Sequence, residues 1–598
     1  MTTSAFSPTF PPATREEMLR LGWDRLDVIL VTGDAYIDSP FIGTAVIARV
    51  LLDAGYRVGV IPQPDTASGR DITRLGEPLL FWGVSGGCLD AMVANITASG
   101  KRRRQDDLTP GGINNRRPDR AVIVYANLIR RYFKSTAPIV LGGIEASLRR
   151  ISHYDAVSDS VRRSILFDAK ADLLAYGMAE KTVLKIASIL RADGDISALR
   201  TVRGICYVSR DLPEPVPEFP EPDGVLPDHS AAARDKGEFT RMFRLFYANA
   251  DPMTARRLCQ RQDTRYLVQN PPQSPLSSAE LDRIHELPYA REVHPCHRND
   301  GPVRALDTIR FALVAHRGCY GECRFCAITV HQGRHVVSRS EDSIVREAAA
   351  FTAHPLFKGI ISDVGGPTAN MYGMECRKKQ RDGACVDRGC LFPDVCPGMP
   401  VRHDRQLRLL ERLRTLPGVR RVFIASGIRY DLILKDRKHG ERYLEEILRH
   451  HVSGQLKIAP EHVDAGVLNR MGKPGQEVLE AFIRLFTHLK RKKALDGFLT
   501  YYFMAAHPGC TQADMAGLRA FAEKKLHLLP EQTQIFTPTP ATWSTLMYHT
   551  GRDPFTEETI FVERDRAARE RQKAAVTPAR SERPKRRSPR RRKGQGTL

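Results

Sequence analysis

No apolar run in the 598-residue chain approaches about 18 residues, the length a helix needs to cross a bilayer, so a helical membrane span is excluded. The amino end, MTTSAFSPTFPPATREEM, has no charged region followed by an apolar one, and no secretory signal is expected. Acid is short relative to base: 69 Asp and Glu stand against 91 Lys and Arg, a net charge of +22. Cysteine is sparse, at twelve residues, yet seven of the twelve fall between Cys319 and Cys396. That crowding speaks against a disulfide framework and for metal-binding or catalytic thiols, which need a reducing compartment. The chain is expected to be cytoplasmic, with no membrane partner.

What is present is ordinary for a soluble globular protein, with 42% hydrophobic and 27% charged residues. The length exceeds what one core organises and predicts about two to four domains. Base is concentrated near the end, where nine Lys and Arg from Arg580 to Lys593 face a single acid, Glu582. Residues 561–598 are therefore expected to form a basic disordered tail. Such a tail binds polyanions without reading sequence, so RNA contact is one expectation and a purely solubilising role the other.

From the amino end, apolar runs at residues 27–32, 58–61, 79–84, 139–142, 173–176 and 204–208 read as buried strands. Helical patterns at 44–54, 89–97, 121–131 and 182–191 lie between them. Strand–helix alternation builds a parallel sheet, and residues 1–215 are expected to form a doubly wound α/β domain. Loops at its strand ends, Ser85-Gly86-Gly87-Cys88 and Gly142-Gly143-Ile144-Glu145, are where such sheets take ligands, although tight packing also explains paired glycines. Residues 101–120 (KRRRQDDLTPGGINNRRPDR) form a basic loop, either solvated or able to steer an anion. Residues 216–302 turn Pro-rich and are expected to be a connector wrapping one domain against the next.

Residues 303–560 return to strand–helix alternation. The first strand there runs into FALVAHRGCYGECRFCAITVHQGR (residues 311–334), which spaces Cys319, Cys323 and Cys326 as C-x3-C-x2-C. Gly318 and Gly321 let the chain turn sharply, so three thiolates can converge on one object. Three sulfurs leave one iron of a [4Fe–4S] cubane without a protein ligand, and a small molecule can bind there. The competing reading is a zinc knuckle completed by His316 or His331. A second set, Cys376, Cys385, Cys390 and Cys396, occupies an inserted loop at residues 373–400. Four thiols suffice for a second Fe–S cluster or for structural zinc, and unliganded thiols are the alternative. Cys510, in His507-Pro508-Gly509-Cys510, is a lone candidate for hydrogen-atom donation.

Segment 311–334 resembles the signature of the radical S-adenosylmethionine (SAM) enzymes. The resemblance implies that Cys319, Cys323 and Cys326 hold a [4Fe–4S] cluster whose fourth iron chelates SAM, and that the six strands after residue 303 form a partial (β/α)6 barrel. Gly365 and Gly366 stand where the family commonly has Gly-Gly-Glu, which implies backbone contact with the SAM amino group, and Pro367 replaces the Glu. Ser426 and Arg429 resemble the ribose- and carboxylate-contacting positions, with Asp431 a competing partner for that arginine. Ala459-Pro460-Glu461-His462 and residues 467–474 (VLNRMGKP) resemble a stretch of methylthiotransferase-like barrels. The amino-terminal sheet resembles the cobalamin-binding domain that precedes many such barrels. Those domains carry a cobalt-ligating His in D-x-H-x-x-G, and here Asp38-Ser39-Pro40-Phe41-Ile42-Gly43 puts Pro40 in its place, so cobalamin is not expected. In motif order the chain resembles the YgiQ-type radical SAM proteins almost throughout. That implies a radical enzyme acting on RNA, a protein or a metabolite, with an electron donor such as flavodoxin or ferredoxin. A non-catalytic Fe–S or zinc nucleic-acid-binding protein is the other reading.

Overall fold

Val28–Thr32 is buried along its whole length because helices cover both faces of the sheet it joins. The computed structural model describes residues 8–578 apart from 193, 215, 220–223, 386–387 and 531. The strand's alternation divides the core. Val28 and Leu30 pack with Ala48 and Leu51 of helix Gly43–Asp53 and Ile186 of helix Glu180–Ala192. Ile29 and Val31 pack on the other face with Val122 and Tyr125 of helix Ala121–Tyr132.

Across the large sheet the strands run Val58–Pro62, Val28–Thr32, Phe81–Ser85, Ile139–Gly142, Leu173–Ala175, Ile205–Ser209, Arg265–Gln269, Leu258–Gln262 and Gly224–Leu226. The first five are parallel, and Ile205–Ser209 turns antiparallel to its neighbours. Strand order reverses between Val28–Thr32 and Phe81–Ser85, which makes the switch-point crevice of a doubly wound sheet. Arg117 fills it. Its Nε donates to the Gly33 carbonyl at 3.0 Å and its Nη2 to Asp34 at 2.6 Å, with the side chain fully buried. The basic loop at 101–120 is thus anchored by one arginine inside the fold rather than solvated throughout.

The expected connector at 216–302 carries more structure than its proline content suggests. Leu258–Gln262 and Arg265–Gln269 form a hairpin across a two-residue turn, with Asp263 at φ +58°, and Gly224–Leu226 closes the sheet edge. Gln260 and Gln262 are buried there and bonded, Gln262 Nε2 to Gln260 Oε1 at 2.9 Å and Gln260 Nε2 to the Pro227 carbonyl at 2.9 Å. Buried polar residues that satisfy one another leave no apolar alternation to read.

The second unit has the expected partial barrel. Ala312–Val314 pairs with Asp363–Gly365, Ile360–Ile361 with Arg421–Val422, Gln455–Glu461 with Phe498–Ala505, and that strand with Gln532–Ile535, all parallel. Ile428 bridges to Ile458 and completes the series. Helices Glu341–Thr352, Asp404–Arg414 and Gln476–Lys492 cover the outside through Phe351, Leu410 and Phe482. Ser340 caps the first of them, accepting from the Ser343 amide at 3.1 Å.

The two units meet at the cysteine segment. Helix Ile328–Gln332, directly after Cys326, leans on helix Gly143–Leu148, with His331 Nδ1 3.1 Å from Ser147 Oγ. Arg317 forms a buried ion pair with Glu180. Beyond the barrel, residues 561–578 are not simply tail: Asp565 caps helix Arg566–Val576, whose Val576 joins the barrel core. The basic run from Arg580 to Lys593, with its expected RNA contact, lies outside the described residues. Among those described, no helix is long and apolar enough to cross a membrane.

Candidate metal centre and cofactor pocket

The loop carrying Cys319, Cys323 and Cys326 leaves the carboxyl end of Ala312–Val314, the end at which barrels of this kind gather functional groups. Its shape depends on two glycines. Gly318 has φ +78°, and a Cβ there would lie 1.8 Å from the His335 carbonyl oxygen. A Cβ on Gly321 would lie 3.2 Å from Cys319 Sγ, 3.6 Å from Cys323 Sγ and 3.5 Å from Arg429 Nη1. Gly321 thus keeps open the space between two thiols and a cation. All three cysteines are half-buried. Burial, reinforced by the neighbouring Cys323 sulfur, raises the Cys319 thiol and pushes Cys326 up to about 12. Left to themselves Cys319 and Cys326 stay protonated at neutral pH; a bound metal deprotonates such thiols outright.

Around them stand groups that neutralise a sulfur-rich centre. Arg429 Nη1 donates toward Cys323 Sγ at 3.7 Å, and the Gly321 amide donates to Cys319 Sγ at 3.3 Å. Thr368 Oγ1 and Met371 Sδ approach Cys319 Sγ at 3.7 and 3.9 Å. Burial opposes the charge of Arg429, but Asp431 and the cysteine sulfurs hold its pKa above the ordinary arginine value. Asp431 accepts from its Nε at 2.9 Å. Asn370 clamps the arginine backbone from both sides, accepting from its amide at 2.8 Å and donating to its carbonyl at 2.9 Å.

Gly365, Gly366 and Ser426 lie together at the next strand ends. A Cβ on Gly365 would come 3.1 Å from Ser426 Oγ, and one on Gly366 would come 2.7 Å from His316 Nε2. Ser426 is held by Asp363, which accepts from its hydroxyl, from its amide at 3.2 Å and from the Ala425 amide at 2.8 Å. Glu461 ends Gln455–Glu461 at a register shift with φ +70°, and burial pushes its carboxyl up to about 7. A non-glycine residue held in that left-handed region is strained, and such strain collects at functional sites. Asp363, Asn370 and Glu461 are the positions that sequence reasoning left without a role. Asp363 and Glu461 did carry a signal, as polar residues breaking or ending an apolar strand, whereas Asn370 lies in the turn Ala369–Met371 and carried none.

The second cysteine set is brought beside the first only in part. Cys376, Cys390 and Cys396 pack on the same apolar cluster as Cys319, around Tyr320, Met371 and Met399. Tyr320 Oη accepts from the Cys376 amide at 2.9 Å. Lys379, buried, lies 3.4 Å from Glu322 and 3.6 Å from Cys390 Sγ, so it bridges the two loops. Burial pushes Cys390 up to about 11. Cys385 is half-buried, and the Ala384 amide beside it donates to Asp251 at 2.9 Å, away from that cluster. Among the described residues, no three Cys, His, Asp or Glu side chains converge on a single-ion geometry. Cys510 is fully buried, 3.7 Å from His462 Nε2 and pushed up to about 12 by burial. It is a core thiol and does not face the mouth.

Comparison with known proteins decides the family. Residues 10–312 match the radical SAM N-terminal family, 313–522 the radical SAM superfamily, and 531–579 a domain of unknown function, DUF3362. A UPF0313 protein of Fusobacterium nucleatum is 51% identical over 575 residues, covering 96% of this chain and all of that one. The chain belongs to the radical SAM superfamily, in the UPF0313 or YgiQ family. Other members of the YgiQ family include a Thermotoga maritima protein, 48% identical over 95% of this chain and 98% of its own. A Methanosarcina acetivorans protein is 45% identical over 95% of this chain and 78% of its own.

Solved structures similar to this YgiQ-family chain include the radical SAM methyltransferase TsrM from Kitasatospora setae, with cobalamin and a [4Fe–4S] cluster bound. It covers 86% of this chain and 76% of its own at 14% identity and a TM-score of 0.47. The cobalamin-dependent radical enzyme OxsB, with aqua-cobalamin bound, covers 89% of this chain and 56% of its own at 13% identity and a TM-score of 0.46. These neighbours overturn the expectation against cobalamin, which rested on Pro40 alone. A proline there removes one axial ligand and not every way of holding a corrinoid. The likeness concerns the fold and assigns no cobalamin contact to this chain.

Proposed function

We propose that the chain is a radical SAM enzyme in which Cys319, Cys323 and Cys326 hold a [4Fe–4S] cluster and SAM binds against it at the barrel mouth. The observation that carries this reading is the cradle at Gly321, where two of the three thiols and Arg429 face one space that a side chain would fill. Bound there, cluster and SAM together supply the one-electron cleavage of the sulfonium that releases methionine and a 5′-deoxyadenosyl radical.

The chain's own residues do the placing. Arg429, fixed in direction by Asp431 and in backbone by Asn370, offers a guanidinium for the methionyl carboxylate. Gly365 and Gly366 let backbone groups approach the methionyl amine, and Ser426, whose amide and hydroxyl proton are both given to Asp363, offers its hydroxyl oxygen as an acceptor to the ribose. Glu461, with its carboxyl near neutrality, can take or give a proton at the same mouth. Cys376, Cys385, Cys390 and Cys396 supply the ligands of a second Fe–S or zinc site, and the Lys379–Glu322 bridge couples its loop to the first. A small one-electron carrier of the flavodoxin or ferredoxin kind supplies the electron.

Anaerobic reconstitution followed by iron counting and a 5′-deoxyadenosine assay tests the proposal. Wild-type protein should form 5′-deoxyadenosine after reduction with SAM, and Cys326→Ala should not. Fully iron-loaded wild-type protein that never cleaves SAM would overturn it.

A further inference from the structure

A cavity of about 150 Å³ opens where the two units and the carboxyl-terminal helix meet, away from the cysteines. Three arginines line it, Arg149, Arg566 and Arg569, together with two acids, Asp90 and Asp155. The acids are already committed. Asp90 takes Arg149 in a two-point ion pair, and Asp155 takes Arg120 while also accepting the Val157 amide at 2.9 Å. That accounts for one of the three lining arginines. Arg569 is only 7% exposed and donates to the carbonyls of Ala98 and Arg564 at 3.0 and 3.5 Å, leaving its buried Nε without a partner. Arg566 sets its guanidinium beside Gly100, where a Cβ would come 2.8 Å from Cζ. Among the described residues, neither Arg566 nor Arg569 has a carboxylate within ion-pair distance. The cavity therefore carries about two uncompensated positive charges on partly desolvated walls.

Its position matters as much as its charge. Thr537, Pro538 and Pro540 wall it, in the chain leaving the carboxyl end of Gln532–Ile535. All the barrel strands are parallel, so this is the same end of the barrel as the cysteine loop. Asp90 and Arg149 come from the carboxyl side of the amino-terminal sheet. The rim continues into Lys101-Arg102-Arg103-Arg104, of which Arg103 Nε donates to the carbonyl of Val93, a lining residue, at 3.2 Å. Segments more than 450 residues apart in the chain are thus folded into one basic recess.

We propose that this recess binds a phosphate group of the substrate, which makes the substrate a phosphate ester and anchors it at the same end of the barrel as the radical-generating mouth. The inference rests on the radical SAM reading for the words substrate and mouth, and on Arg566 and Arg569 for the phosphate. At about 150 Å³ the cavity matches in size those that take up a benzene-sized molecule. A phosphate fits, while the sugar and base of a nucleotide must extend past the rim. Paired arginine forks are the side chains suited to a phosphate in such a site.

Binding of three probes to the full iron-loaded chain, followed calorimetrically, tests this independently of SAM cleavage: inorganic phosphate, adenosine 5′-monophosphate and a short single-stranded oligoribonucleotide. Each phosphate ester should bind wild type and lose about tenfold or more in affinity in Arg566→Gln, an exposed position, and in Arg569→Gln. Iron content and thermal midpoint serve as the fold controls. Oligonucleotide binding that exceeds mononucleotide binding and weakens steeply with salt makes the ester a nucleic-acid strand. Equal affinities make it a small metabolite. Binding that is absent in wild type, or unchanged in Arg566→Gln, overturns the proposal even if SAM is cleaved normally.

Discussion

The Asp431 carboxylate grips Arg429 at both Nε and Nη2, while the remaining nitrogen, Nη1, points at the sulfur of Cys323 3.7 Å away. Two residues apart in sequence, they form one buried unit whose free corner faces the cysteines. Asp431 is held below the ordinary carboxylate range because Arg429 outweighs the effect of burial.

Asp431→Asn leaves the guanidinium charge buried without a counter-charge. A loss of roughly 3–5 kcal/mol is expected for such a broken pair, read as a lower urea midpoint, together with weaker SAM binding. A variant as stable as wild type would mean that the cysteine sulfurs alone balance Arg429.

Gly318→Ala adds a methyl 1.8 Å from the His335 carbonyl at φ +78°. The loop must move, at a cost of roughly 1–3 kcal/mol for overpacking alone. Iron occupancy after reconstitution should fall in this variant, while Gly427→Ala, whose Cβ meets nothing within 4 Å, should load iron as wild type does.

Replacing Cys376 and Cys390 together by Ala should remove metal from the second loop only. Inductively coupled plasma analysis would then show about four irons remaining, and the metal that disappears, iron or zinc, identifies the second site. Metal content unchanged from wild type would show that the second set binds none.

His507 gives a pH dependence with a definite sign. Its Nδ1 lies 2.9 Å from the Pro508 carbonyl and its Nε2 2.7 Å from Ser544 Oγ, so a neutral ring donates to one and accepts from the other. Burial lowers its pKa from 6.5 to about 3. A depressed folded-state pKa gives stability that is present above the unfolded value and lost as pH falls through 6.5 toward 3. The loss should reach the order of a few kcal/mol. Urea midpoints measured from pH 7.5 downward should fall, and less steeply in His507→Gln.

Much of this was open to a reader of the sequence, and the reason is local. Cys319, Cys323 and Cys326 announce themselves as candidates by their spacing alone, and Arg429 with Asp431 because the pair is two residues apart. The strands from Val28 to Ile205 are apolar runs between breakers, so their burial is written in composition. What stayed hidden depends on distant partners. Asp363 matters because Ser426 comes to it from 63 residues away, and Asn370 because Arg429 does from 59. The sheet strands at Leu258–Gln262 and Arg265–Gln269 escaped notice because buried Gln260, Gln262 and Gln269 break up the apolar run of Leu258, Cys259, Leu267 and Val268. Arg117 looked like one more surface cation until the fold enclosed it.

The contact between His331 and Ser147, with Arg317 on Glu180 beside it, bears on how the protein matures. The cysteine segment is braced from outside its own barrel, by helices that precede it in the chain by more than a hundred residues. Ribosomal synthesis proceeds from the amino end, so that brace is made before the thiols emerge. On the reading proposed above, iron would enter a cup whose back wall already stands, and a fragment beginning at residue 303 would offer the same three cysteines without that outer brace.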